Sequence, residues 1–270
     1  MRSIIRRHQL AAFFVLAFAL SWWPWPVAHL NPESVAMIPW GPAIAAVIVS
    51  LAATGRSGFI QLIKRIGRWR VEPRWYLAAL GIPVAAWAVS AVVSTSFLGA
   101  SIDSPLSFAD LVVFPISFIY LAVVNGPLTE EIGWRGVALP RMLKSQTPLM
   151  ASLVLGLVWF SWHLPLLVTE TTRPVAPFAI SLVSFSVVLT WLHLNARESL
   201  LIAIMFHAAV NTVASFVVPT FAEDDRIGVW WVFVVAMAIT AALVARSRSF
   251  RNGTPTTTEM PSKEPATLHH

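Results

Sequence analysis

The 270-residue chain contains no cysteine and two tyrosines, and only 12% of its residues are charged. The lack of cysteine excludes disulfides, thiolate metal ligands and a cysteine nucleophile. Soluble domains carry about 25% charged residues, so the shortage of charge excludes an ordinary soluble domain. Strictly alternating short apolar segments, the mark of membrane-spanning strands, are also missing. What is present instead is a 57% hydrophobic composition, a mean hydropathy of +0.70 and apolar residues gathered in long blocks. Those blocks describe an all-α, polytopic membrane protein, because helices satisfy every backbone polar group within lipid.

About eight blocks approach the ~20 residues that a bilayer core requires. They cover residues 10–27, 35–53, 75–98, 111–128, 149–168, 175–194, 199–218 and 227–245. The first lacks a small-residue cleavage site and is followed by further spans, so it is not read as a removed signal peptide. Residues 1–245 form one transmembrane helical domain on this reading. Residues 246–270, rich in Thr, Pro and Ser, read as a disordered cytoplasmic tail that includes His269 and His270.

The net charge of +6 could suggest nucleic acid, but its placement follows membrane topology. With the N-terminus inside and alternating spans, the inner segments hold Arg2, Arg6 and Arg7, then Arg56, Lys64, Arg65, Arg68, Arg70 and Arg74. They also hold Arg135, Arg141, Lys144, Arg197, Arg246, Arg248, Arg251 and Lys263. Only Arg173 and Arg226 fall outside, where Glu33, Asp103, Asp110, Glu170, Glu223, Asp224 and Asp225 gather. Both termini are therefore expected in the cytoplasm, with no nucleic-acid partner. The segment 56–74 interleaves six basic residues with apolar ones, and is either an interfacial helix on anionic lipid or a plain topogenic loop. Its Gly55-Arg56-Ser57-Gly58 string matches the G-x-S-G of rhomboid serine proteases. Its position in a basic loop, outside any membrane cavity, argues against that chemistry.

The costly residues lie elsewhere. Glu130, Glu131 and Arg135 follow an apolar run, and a charge at membrane depth costs at least ~2.5–3.5 kcal/mol on insertion scales. The other strongly polar residues in the spans are His163, His193, His207 and Asn211. The fourth and fifth spans turn at residues 145–148. Glu130 lies 16 residues before Gln146 and His163 lies 16 after Thr147. At ~1.5 Å per residue both stand ~24 Å from the turn, so an antiparallel hairpin brings them level. His207 and Asn211, spaced i, i+4 on the seventh span, share a face at comparable depth. Glu131 and Arg135 have the favoured i, i+4 order for an ion pair. Glu130 points ~100° away from Glu131 and is left to face a cavity. The run from Asp110 to Ser145 would extend ~52 Å, beyond a ~30 Å core. A break is expected at Asn125-Gly126-Pro127, and the inner part is expected to protrude into the cytosol. That puts the polar layer in the cytoplasmic half of the membrane, opening toward the cytoplasm.

At these residues the chain resembles the CPBP family, the CAAX-processing and bacteriocin-immunity membrane proteins related to type II CAAX prenyl endopeptidases. The family shows Glu-Glu-x-x-x-Arg, then Phe-x-x-x-His, then His-x-x-x-Asn or Asp. Glu130, Glu131 and Arg135 match the first motif, and His207 with Asn211 match the third. In the second, Trp159 stands four residues before His163 where the family usually has phenylalanine. The resemblance covers residues 111–218. It implies an intramembrane endopeptidase acting on membrane-anchored protein or peptide substrates. Glu130 would activate a water with help from His163, and His207 and Asn211 would stabilise the oxyanion. Glu131, Arg135 and Trp159 would support the site. No cofactor is expected. The alternative is a zinc ion on Glu130, His163 and His207. The H-E-x-x-H spacing of zincins is absent, which favours the glutamate mechanism. His193 matches no motif and is read as a core residue. Two further readings stay open: an ion-coupled transporter, although the first three spans hold no matching polar layer, and a non-catalytic immunity or scaffold protein.

Overall fold

A computed structural model describes residues 2–28, 36–169 and 174–251. Glu33, Glu170, Arg173 and the tail residues 252–270 lie outside them. Among the described residues the fold is helical throughout, with one isolated antiparallel bridge between Ile102 and Phe221. The principal helices are α1 (Gln9–Trp22), α2 (Gly41–Thr54), α3 (Arg56–Ile66), α4 (Pro73–Phe97), α5 (Phe108–Val124), α6 (Pro127–Gly133), α7 (Pro148–Trp162), α8 (Val175–Asn195), α9 (Leu200–Val217) and α10 (Arg226–Arg246).

Among the described residues five helical stretches are long and apolar enough to cross a membrane: Pro73–Phe97, Phe108–Met142, Val175–Asn195, Leu200–Thr220 and Glu223–Arg246. The apolar helices α1, α2 and α7 hold 14, 14 and 15 residues. At ~1.5 Å per residue each is roughly 21–23 Å long, short of a ~30 Å core. The eight apolar blocks of the sequence thus divide into five full-length helices and three shorter ones.

Local chemistry sets the helix ends. Ser107 and Asp110 form a reciprocal capping box at the start of α5. Thr147 caps α7, with Pro148 in the first turn where its missing N–H costs nothing. The long fourth block breaks where expected: α5 ends at Val124, Gly126 adopts φ +110°, and α6 starts at Pro127. Glycine alone takes that backbone shape cheaply.

Beyond the break residues 133–139 are all buried within the bundle. The apolar first helices cover them: Phe13 of α1 packs edge-on to Trp134 at 5.5 Å, and Pro42 of α2 lies against Gly133. The chain passes through a π-helical turn, Trp134–Ala138, which the sequence did not announce. Such turns are rare and occur mostly as single bulges inside α-helices.

The segment after α2 is a helix, α3, docked on the bundle. Leu62 is buried against Gly136. Arg65 pairs with Glu198 at 2.8 Å, and Ser199 Oγ donates to the Arg68 carbonyl at 2.6 Å. The last long helix ends at Arg246, Ser247 is extended, and Arg248–Arg251 form a separate short helix with Phe250 buried.

Candidate active site in the helical bundle

The two adjacent glutamates take different partners. Glu131 and Arg135 are both wholly buried and pair at 3.1 Å through Glu131 Oε1 and Arg135 Nη1. The same Oε1 faces His207 Nδ1 at 2.9 Å. One carboxylate therefore ties the π-turn to α9. Glu130, 5% exposed, turns to the other side, and its Oε2 accepts a 2.6 Å hydrogen bond from Trp159 Nε1. Its Oε1 lies over Gly126, where a Cβ would come within 2.4 Å of it.

Trp159 does more than fill space. Its ring lies under the Arg135 guanidinium at 4.5 Å and meets the His207 ring edge-on at 5.1 Å. A cation above an aromatic face is stabilised by the ring quadrupole, more so when desolvated. One side chain thus touches Glu130, Arg135 and His207. Noting only that Trp159 stands where the family usually has phenylalanine missed this, because phenylalanine has no N–H to donate. The usable signal was an indole four residues before the histidine, one helical turn away.

His163 sits where α7 ends. Pro165 cannot continue the hydrogen-bond ladder, and the His163 N–H turns to Phe160 O at 2.9 Å. The His163 Nδ1 then meets the released Trp159 carbonyl at 2.8 Å. A carbonyl only accepts, so Nδ1 carries the hydrogen and Nε2 bears the lone pair in the neutral ring. In His207, Nδ1 faces a carboxylate and likewise carries hydrogen.

A cavity of about 560 Å³ brings these residues together. Glu130, Trp159, His163, His207 and Asn211 all line it. The hairpin count that levelled Glu130 with His163 therefore corresponds to a shared cavity, and the seventh block delivers both of its polar residues. Glu131 and Arg135 stand behind the wall. His193 is buried on α8 and does not line the cavity. The remaining wall is largely apolar and aromatic, including Trp87, Phe178, Phe185, Trp230 and Phe233. Among the described residues no three or more His, Asp or Glu side chains stand close enough to hold a metal ion. Each histidine turns Nδ1 to a protein acceptor, and Glu130 Oε2 accepts from Trp159.

Residues 112–213 match the family model for type II CAAX prenyl endopeptidase, Rce1-like. The CAAX prenyl protease 2 of Methanococcus maripaludis is 29% identical over 138 residues, covering 46% of this chain and 48% of that protein. The chain spans about half the length of the curated relative it matches. The matched segment holds Glu130, His163, His207 and Asn211, and is similar to the Rce1-like endopeptidase domain. With that similarity and its several apolar helices, the chain is a multi-pass membrane protein.

Proposed function

We propose that the protein is an intramembrane endopeptidase that hydrolyses peptide bonds of membrane-associated protein or peptide substrates. The observation that carries this reading is the convergence of Glu130, His163, His207 and Asn211 on one cavity. Glu130 takes a proton from water, and His163 Nε2 accepts the water's second hydrogen as a hydrogen bond. The hydroxide oxygen bonds to the scissile carbonyl carbon. Asn211 donates to the resulting oxyanion, and so does His207 when its ring is doubly protonated. The proton held by Glu130 then passes to the leaving nitrogen as the C–N bond breaks. Glu131 fixes the His207 ring, and Arg135 balances Glu131.

The topology we propose has about eight spans with the arginine-rich segments, and both termini, in the cytoplasm. Membrane lipids surround the outward faces. The alternatives are a scaffold on the same fold and an ion-coupled carrier, both of which predict that catalytic substitutions leave no hydrolysis to lose.

The test is purified protein in detergent with a library of membrane-anchored peptides. Glu130→Gln keeps the shape of the side chain and is expected to lower cleavage by about 10²–10⁴, the usual worth of a positioned acid or base. His163→Ala is expected to act in the same direction. Cleavage that survives either change rejects the assignment. A chelator is expected to leave cleavage intact, and loss with rescue by Zn²⁺ replaces the glutamate mechanism with a metal one.

A further inference from the structure

Asn125 lines the cavity together with Glu130 and Asn211, yet the hydrolysis set out above gives its side chain no part. The helix period puts it there. Phe114, Phe118, Leu121 and Asn125 follow one another at intervals of four, three and four residues, so they form one stripe along α5. The stripe faces α9, where the Phe114 and Phe216 rings meet at 5.2 Å. Leu121 reaches the cavity wall, and one turn later the stripe changes from apolar side chains to an amide.

Asparagine at a chain break often serves the backbone. Other groups carry that duty here. The Asn125 N–H donates to the Leu121 carbonyl at 3.3 Å, and the Glu130 N–H to the Gly126 carbonyl at 2.8 Å. Thr129 Oγ1 donates to the Gly126 carbonyl at 2.9 Å. Asn125 itself has φ −106°, which any residue adopts, and the positive φ of the break falls on Gly126. Among the described residues the Asn125 side chain makes no hydrogen bond, and it is exposed. Two serines on the same wall differ from it. Ser181 and Ser215 donate to the Pro177 and Thr212 carbonyls, each at 2.8 Å. Asn125 thus keeps one carbonyl acceptor and two N–H donors available to whatever enters.

We propose that Asn125 binds the main chain of a polypeptide in the cavity, pairing its side-chain amide with a peptide group beside the scissile bond. This deepens the proteolytic reading above and rests on it. A segment drawn into the cavity leaves the water that bonded its N–H and C=O groups, and the largely apolar wall replaces few of those bonds. An asparagine side chain carries the same donor and acceptor as a peptide group, so it gives to a substrate carbonyl and accepts from a substrate N–H. The two amides then divide the work. Asn211 meets charge that develops during reaction, and Asn125 meets a neutral group that is present from binding onward. An interaction equally strong in the bound and transition states lowers KM and leaves kcat alone. Asn125 is on this assignment a substrate-binding residue. It selects for a free peptide group at one position next to the cleaved bond, whatever side chain that position bears.

Asn125→Leu keeps the approximate size without polar atoms, and Asn125→Ala removes the side chain. Both change an exposed position and are expected to unfold like the native protein. KM for a cleaved membrane-anchored peptide is expected to rise about 2–10-fold in each, the worth of one neutral hydrogen bond, with kcat nearly unchanged. A fall in kcat at constant KM overturns the assignment. The sharper readout alters the peptide instead. Peptide groups on either side of the cleaved bond are methylated at nitrogen or replaced by an ester, one at a time. At one position the change is expected to weaken cleavage by the native protein and to cost Asn125→Leu nothing further. Equal penalties for both proteins at every position overturn the proposal, whatever happens to KM. The same series is read as binding to the native protein and to Asn125→Leu, each carrying Glu130→Gln to prevent turnover. If the native protein cleaves no peptide, the proteolytic reading fails, and the binding series still decides Asn125 by the same criterion. Absence of any peptide binding overturns both.

Discussion

Residues 108–124 and 127–142 belong to one apolar run, yet they live in opposite surroundings. The first part, α5, buries only Ala122 and turns Leu111, Ile116 and Ile119 outward. The second part is enclosed, with Gly133 through Leu139 buried by α1, α2 and α3. Gly126 and Pro127 separate them. The difference explains how the chain tolerates Glu130, Glu131 and Arg135. These groups are exposed neither to lipid nor to bulk water. They are held by Trp159, His207 and one another, which satisfies the rule that charges within a membrane protein face its interior and pair there.

Substitutions can break that contrast, and the largest effect is expected inside the enclosed half. Arg135→Ala leaves Glu131 as a buried charge without its ion-pair partner and removes the cation above Trp159. It should cost ~3–5 kcal/mol in stability, read as a fall in thermal unfolding in detergent. An unfolding profile like that of the native protein would mean that the pair is not what holds this half together. Trp159→Phe sharpens the role of the indole by restoring the residue usual in the family. Loss of a hydrogen bond to a charged group should cost ~1.5–3 kcal/mol. It should also lower kcat while KM holds, since Glu130 loses its positioning contact. Equal activity in the two forms would reduce Trp159 to a packing residue.

Gly133→Ala tests the enclosure without touching charge. Its Cβ would fall within 2.5 Å of Pro42 Cβ and 2.8 Å of the Pro42 carbonyl oxygen. Such overpacking typically costs ~1–3 kcal/mol, and wild-type stability would show that α2 can move away. The smallest effect belongs to the outward half. Ile116→Ala, at a position 68% exposed, should change stability by no more than ~0.5 kcal/mol. A large loss there would reveal a partner covering α5.

The amino-acid pattern carries a good deal of this. Long apolar blocks with few charges specify spanning helices, because lipid leaves no other way to satisfy the backbone. The break at Asn125-Gly126-Pro127 is readable from proline and glycine chemistry. The Glu131–Arg135 pair and the common level of Glu130 and His163 are readable from helical periodicity and rise. These are local properties, fixed by 3.6 residues per turn and ~1.5 Å per residue. What tertiary structure alone decided are matters of contact between distant segments. The π-turn at Trp134, the indole of Trp159 bonded to Glu130 and the burial of residues 133–139 all depend on which helices meet. Periodicity assigns a side chain to a face and a depth, but the neighbour on that face, and whether space or protein lies beyond it, is set only when the helices pack.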